Sequence, residues 1–327
     1  MTADTDYLLD LEDLRVSIGA KRGDLEIVHG IDLKVRAGET IGIVGESGSG
    51  KSVTMLSILR LLSDPLKITG GRVEFRGQDL AAMSEPEMRA LRGRDIAMIY
   101  QDPMTSLNPL MRVGDQVAEV LRVHGISKEE ARGRVVELFE RVGIPDPKRT
   151  VRAYPHEFSG GMRQRIVIAM ALALRPTLLI ADEPTTALDV TIQQQILALV
   201  AELQRDLGMT TIWVTHDLGV VARLVERVIV MYGGTVVEDA PVRQLFAAPQ
   251  HPYTQRLLAS LPNPLDDGRP PLAQIPGRPP LPTDTVIGCP FRDRCLQARD
   301  ICATVPPLMP RGDGLAACWI PPEEWVA

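Results

Sequence analysis

No apolar run in this sequence approaches the ~20 residues that a membrane-spanning helix needs. The longest, Ile166 to Leu174, is closed at both ends by Arg165 and Arg175. The chain is therefore not expected to cross a bilayer by itself. Nor is there an excess of positive charge: 36 basic against 42 acidic residues leave a net charge of -6, which offers no general footprint for nucleic acid or anionic lipid. The start, Met1 to Asp13, is acidic and lacks a basic stretch followed by an apolar one, so no secretory signal is read and a cytosolic location is expected. Cysteine is absent until the last forty residues, where Cys289, Cys295, Cys302 and Cys318 gather. In a reducing compartment that grouping favours a metal or redox cofactor over disulfides. Internal repeats are also absent.

What is present is ordinary globular material, 45% hydrophobic and 24% charged, long enough for a large domain with an appendage or for two domains. From Leu8 to about Val35 apolar and polar residues alternate around Gly19, Gly23 and Gly30, which predicts antiparallel strands and turns. Thr40 to Val44 reads as a short buried strand and Ser52 to Leu62 as a helix. Ser84 with Glu87, and Ser127 with Glu130, have capping-box spacing and open a helix-rich region. A helix from Gly161, a strand Thr177 to Ala181, a helix near Thr191 to Leu207, a strand Thr210 to Val214, another helix, and a strand pair around Gly233-Gly234 follow. Strands alternating with helices predict an α/β fold with a largely parallel, covered sheet. Nine prolines between Pro262 and Pro290 exclude continuous helix there and mark off the cysteine-bearing tail as a separate unit.

Between the strand Thr40 to Val44 and its helix lies Gly45-Glu46-Ser47-Gly48-Ser49-Gly50-Lys51-Ser52. Glycines let backbone N–H groups converge on a polyphosphate, and the helix N-terminus adds partial positive charge. Lys51 supplies a point charge to the outer phosphates and Ser52 a hydroxyl for Mg²⁺. With six lysines in the chain, this pattern in this context is a poor candidate for a chance turn. Downstream, Leu178 to Ala181 is an apolar strand that delivers Asp182 and Glu183 at its C-terminal end, the edge where ligands bind in open α/β sheets. Asp182 is expected to hold Mg²⁺ through water, and Glu183 to orient or deprotonate an attacking water.

Phe158-Ser159-Gly160-Gly161-Met162-Arg163-Gln164-Arg165 alone would be an ordinary helix N-cap. The order of phosphate loop, Gln101, this serine-glycine cluster, Asp182-Glu183, Asp189 and His216, however, resembles the ATP-binding subunits of ABC transporters, over about Leu8 to Leu245. The resemblance implies a RecA-like P-loop NTPase core with an antiparallel β subdomain and a helical insertion at about 103–165, together residues 1–260, and a Pro/Cys-rich extension over 261–327. It implies ATP and Mg²⁺ as ligands. Gln101 would contact Mg²⁺ where a transmembrane partner docks. Ser159, Gly160 and Gly161 would bind the γ-phosphate across a dimer, Asp189 would link the two sites, and His216 would be the switch histidine. Family members commonly stack adenine on an aromatic residue, but the matching position here is Ile18, so weaker base stacking is expected.

Ile99 to Pro109, Thr215 to Val221, and His251-Pro252-Tyr253-Thr254 resemble the dipeptide and oligopeptide importer branch, as do Phe158 and Met162. That likeness implies an ATPase paired in a heterodimer with a second cassette, peripheral to the cytoplasmic face of the membrane, beneath two permeases fed by an extracellular binding protein. Peptides, nickel and some oligosaccharides are carried across the branch. A nucleic-acid-directed ABC ATPase is the competing class, but neither a basic insertion nor a second cassette accompanies the motifs. The spacing Cys289-x5-Cys295-x6-Cys302-x15-Cys318 lacks the C-x-x-C pairs of common zinc sites and differs from ferredoxin spacings. The tail resembles the cysteine region of peptide-importer ATPases, some of which carry a [4Fe–4S] cluster. A cluster is the expectation, ahead of four buried reduced thiols and of zinc.

Overall fold

The structure is a computed structural model that describes residues 7–19, 23–185, 188–261, 274–284 and 286–325. Ala187 and the first half of the proline-rich segment, residues 262–273, lie outside the described residues. The chain opens with strands β1 (Tyr7–Ile18), β2 (Leu25–Arg36) and β3 (Thr40–Val44), helix α1 (Lys51–Ile58), and strands β4 (Leu66–Phe75) and β5 (Gln78–Asp79). Helix α2 (Glu85–Leu91), strand β6 (Ile96–Ile99) and helices α3 (Pro103–Ser106), α4 (Val113–Val123), α5 (Lys128–Arg141), α6 (Pro147–Thr150) and α7 (Gly160–Leu172) come next. Strand β7 (Leu178–Asp182), helix α8 (Val190–Leu207), strand β8 (Thr210–Thr215), helix α9 (Leu218–Leu224) and strands β9 (Arg227–Tyr232) and β10 (Thr235–Pro241) follow. The last elements are helices α10 (Val242–Ala247) and α11 (Pro252–Ala259) and strands β11 (Met309–Arg311) and β12 (Gly314–Ala316).

Two compact units divide the chain: residues 1–36, 40–81 and 214–327 in one, 37–39 and 82–213 in the other. In the first, β2, β1, β4 and β5 form an antiparallel sheet in that order. Along β2, buried Ile31, Leu33 and Val35 alternate with exposed Asp32, Lys34 and Arg36, the pattern of a sheet with one covered face. The same unit holds β11, β12, β10, β9 and β3, joined in that order. There β3 runs parallel to β9, with Ile41 opposite Arg227 and Val44 opposite Val230, and the other pairs are antiparallel. All five residues of β3 are buried, Thr40 and Gly42 together with the apolar Ile41, Ile43 and Val44, as in a strand covered on both faces.

Strand β12 extends β10, pairing Ala316 with Glu238, and Phe291 is buried against Tyr232 and Tyr253, so the tail folds as part of the unit that carries the phosphate loop.

In the second unit β6 and β7 are parallel, with Ile96 opposite Leu178 and Ile99 opposite Ala181, and β8 follows β7 in the sheet order. Helices α4, α5, α7 and α8 pack against one another. The Ser84 capping box forms in full: Glu87 Oε2 accepts both the Ser84 N–H and hydroxyl, each at 2.7 Å. At Ser127 the described bond is the one from the Glu130 N–H, at 3.2 Å. Helix α1 is shorter than its apolar pattern suggests. It ends at Ile58, and Arg60 turns into the left-handed region at φ 51° with its guanidinium on the Leu80 carbonyl.

Candidate functional site

Strand β3 ends at Val44 and the chain turns through Gly45 to Gly50 into α1. Three of these residues need glycine's freedom, at φ 155° for Gly45, 81° for Gly48 and 95° for Gly50. At Gly45 space forbids anything larger as well, since a Cβ would stand 2.1 Å from the Met231 carbonyl oxygen. Lys51, only 6% exposed, turns its ammonium back under the loop and donates to the carbonyls of Gly45 at 2.8 Å and Glu46 at 3.0 Å. A single cation thus sits beneath an arch of small residues, next to Ser52 in the first turn of α1. That donor set suits a polyphosphate and its Mg²⁺. Gly45→Ala is expected to lower unfolding stability by about 2–4 kcal/mol and weaken nucleotide binding at least about tenfold, because a backbone oxygen must move to admit the methyl. Urea unfolding and a nucleotide titration of the same protein check this.

Glu46 is held from outside the loop. Its N–H donates to the Tyr253 hydroxyl at 2.9 Å, and its carboxylate accepts Arg294 Nη1 at 2.9 Å. The sequence marks Tyr253 as a family residue, but nothing in it points to Tyr253 or Arg294 as a partner of the loop. Their separations from Glu46, 207 and 248 residues, leave no local signal that could have done so. His216 follows β8 and is exposed, immediately before Asp217, whose Oδ1 caps α9 through the N–H groups of Gly219 and Val220. Ile18 is half-buried at the end of β1, between Leu25 of β2 and Leu66 of β4.

The second unit brings Gln101 and Glu183 together. Asp182 is buried at the end of β7, and the next residue, Glu183, takes φ 45°, a conformation a side chain rarely adopts without a reason. Its Oε2 accepts Gln101 Nε2 at 2.9 Å, so the turn out of β6 steadies the carboxylate that leaves β7. Ser159 caps α7 by accepting the Met162 N–H, and Asp189 caps α8 by accepting the Ile192 N–H at 2.9 Å. Gly161 has a packing reason to be glycine, because a Cβ there would lie 2.6 Å from Ile192 Cγ2.

Residues 28–186 match the family described as "ABC transporter", and residues 237–302 the one described as "Oligopeptide/dipeptide transporter, C-terminal region". The chain is 49% identical over 319 residues to the oligopeptide transport ATP-binding protein OppD of Salmonella typhimurium, spanning 97% of this chain and 95% of that protein. It is 52% identical over 296 residues to OppD of Bacillus subtilis, spanning 90% and 83%. The chain belongs to the ABC transporter ATP-binding family. Among solved structures, the bacterial ABC transporter cassette MJ0796, described as dimeric, superimposes with a TM-score of 0.64 at 28% identity, over 72% of this chain and 99% of that one. The expected RecA-like P-loop core is thereby established, and the chain is an ATP-binding, ATP-hydrolysing cassette with a peptide-transporter type of C-terminal region.

Two expectations are corrected. Among the described residues no group of three or more His, Cys, Asp or Glu side chains is arranged to hold a metal ion, so the [4Fe–4S] cluster is withdrawn. The four free cysteines belong to apolar surroundings instead. Cys302 and Cys318 are buried with Ile320, and Cys289, Trp319 and Trp325 pack against them. Burial pushes the Cys289 thiol up to about 12 and that of Cys295 to about 11, and raises Cys318, so these three sulfurs are neutral and behave as small hydrophobes. The expected heterodimer is likewise corrected. The chain aligns along almost its whole length with OppD, and MJ0796 is dimeric as one cassette, so the family fold does not demand an unlike second chain.

Proposed function

We propose that this cassette powers the import of dipeptides or oligopeptides, working at the cytoplasmic face of the membrane beneath two permease subunits supplied by an extracellular substrate-binding protein. The observation that carries the reading is the peptide-transporter region at 237–302, following the ABC match at 28–186 on one chain. Relatives named for oligopeptide transport over nearly the full length support the same cargo. No helix among the described residues is long and apolar enough to cross a membrane, which agrees with attachment through partners. Residues 1–260 would form the ATP-binding domain, with its helical subdomain at about 103–165, and residues 261–327 its extension.

In this reading the backbone N–H groups from Gly45 through Gly50, with Lys51, bind the β- and γ-phosphates. Glu46, Ser47 and Ser49 shape the loop between the glycines. Ser52, Gln101 and, through water, Asp182 would hold Mg²⁺, whose charge offsets that of the phosphates during transfer. Glu183 orients a water and takes its proton, while His216 contacts the γ-phosphate. Ser159, Gly160 and Gly161 would close on the nucleotide of a second cassette, with Asp189 connecting the two sites. Binding then favours a closed dimer, and hydrolysis with release reopens it, which is the stroke that moves the permeases.

Cells lacking this chain should lose uptake of labelled di- to pentapeptides to background and regain it with the wild-type gene but not with Lys51→Ala. Normal peptide uptake accompanied by loss of nickel or oligosaccharide uptake would reassign the cargo. Recovery of ribosomal or DNA-repair proteins in place of membrane proteins on copurification would remove the transport role itself.

A further inference from the structure

Every polar group of Glu46 has a partner, and together these partners connect the floor of the phosphate loop to the C-terminal segment. Its carbonyl accepts Lys51 Nζ at 3.0 Å and the Ser49 N–H at 3.2 Å, both inside the loop. Its N–H and carboxylate go the other way, to Tyr253 and Arg294. The same residue thus carries, on one side, the cation that receives phosphate and, on the other, two side chains from beyond residue 250.

Both outside groups are fixed before they reach the loop. The Arg294 side chain is 8% exposed. Besides Glu46 it donates from Nε to the Pro276 carbonyl at 2.8 Å, from Nη2 to the Ile275 carbonyl at 3.3 Å and from Nη1 to the Tyr232 hydroxyl at 3.0 Å, and it lies over the Tyr232 ring. A guanidinium bonded on so many edges has little rotamer freedom left to lose. Tyr253 is fully buried, its ring 4.6 Å from that of Tyr232 and 5.3 Å from that of Phe291, so its hydroxyl is a stationary acceptor. The loop has the opposite character: three of its six residues before Lys51 are glycines at positive φ, each with conformations to lose. A glycine-rich loop gripped at Glu46 by rigid side chains is held nearer its binding geometry, which reduces the ordering cost of binding phosphate.

We propose that Arg294 and Tyr253 are positioning residues for the phosphate loop: acting through Glu46, the C-terminal segment sets the loop's affinity for the triphosphate of a nucleoside triphosphate. The proposal rests on the assignment of residues 45–52 as the phosphate-binding loop. It gives the tail a role in nucleotide binding without assigning it any cofactor. A change in tail packing would reach the ATP site through one ion pair and one hydrogen bond.

The test is a titration of the purified full-length chain with a fluorescent ATP analogue and Mg²⁺, alongside thermal unfolding without nucleotide. Tyr253→Phe removes one oxygen and keeps the ring packing. It should weaken binding about three- to tenfold, as expected for one lost hydrogen bond to a loop N–H. Arg294→Met should weaken binding about tenfold or more, Arg294→Lys should recover part of that loss, and adding Glu46→Met to Arg294→Met should cost no more than either alone. A purely structural strap gives a different result: lower melting temperatures with unchanged nucleotide affinity in the folded Tyr253→Phe and Arg294→Lys proteins, which overturns the proposal. Lys51→Ala separates this from the underlying assignment. If it abolishes binding while the Tyr253 and Arg294 variants bind normally, positioning alone is wrong. If Lys51→Ala binds normally, the loop assignment falls and the proposal with it.

Discussion

Glu183→Gln is expected to lower steady-state ATP hydrolysis at least about a hundredfold, about 2.7 kcal/mol of barrier, while Mg-ATP binding stays within about twofold of wild type. The amide matches the carboxylate in shape but cannot take a proton from water. The site should survive the exchange, because the features that hold residue 183 do not depend on its charge. The backbone at φ 45° is imposed by the exit from β7, with Asp182 buried beside it. Gln101 Nε2 can donate to an amide oxygen as it now donates to Oε2 at 2.9 Å. Holding a non-glycine residue in the left-handed region costs on the order of 1–3 kcal/mol, and such strain persists where a side chain must be aimed. Phosphate release and nucleotide titration on one preparation, assembled with its transport partners, decide the matter. Turnover near the wild-type rate would show that Glu183 is not the base and that the strained turn serves only to redirect the chain.

The elements that sequence rendered legible share a local cause. Strand β3 was readable to the residue because Ile41, Ile43 and Val44 run straight into a glycine loop, and Ser84 with Glu87 announced α2 because the capping box closes within four residues. Asp182 and Glu183 were singled out by their place at the end of a buried strand, Gln101 only by the order of motifs that resembles the family. What stayed hidden depends on long-range packing. Strand β12 is three residues long and exists because β10 offers Val237 to Asp239 for it to pair with. The gathering of four cysteines was visible, but its meaning turned on burial: Cys289, Cys302 and Cys318 pack with Ile320, Trp319 and Trp325. The grip on Glu46 was invisible, since no pattern in the sequence links residue 46 to residue 294. Gly161 shows the reverse, a residue read for nucleotide contact that also has to be small so that α7 can approach Ile192 of α8.

Unfolding stability should depend on pH through two buried groups that hold the tail's docking strand, and a single substitution should separate them. Glu238 lies in β10 opposite Ala316, fully buried, and its two oxygens accept the N–H groups of Gln250 at 2.8 Å and His251 at 3.0 Å. Burial pushes its carboxyl up to about 7 against the opposing pull of the Thr254 hydroxyl and of those two N–H donors. His251, equally buried, is driven down to about 3, and its Nδ1 accepts the Tyr253 N–H at 3.0 Å, which fixes the neutral ring with its proton on Nε2. The signs follow from which state binds more protons. Between about 4.5 and 7 the folded chain retains the Glu238 proton that the unfolded chain has lost, so that contribution is present at low pH and disappears as pH rises, up to about 3 kcal/mol. The His251 contribution is present above about 6.5 and is lost as pH falls toward 3, up to about 5 kcal/mol. From pH 4.5 to 6.5 the two slopes oppose each other, so wild-type stability should be nearly flat there, falling steeply below and gently above. Glu238→Gln removes only the first. Urea unfolding from pH 4.5 to 8 should then show the variant gaining on wild type by up to about 3 kcal/mol as pH rises, whatever constant penalty the amide incurs against the two N–H donors. A difference that stays constant over that range would mean that Glu238 is ionised in the fold throughout, and that the two N–H bonds outweigh burial.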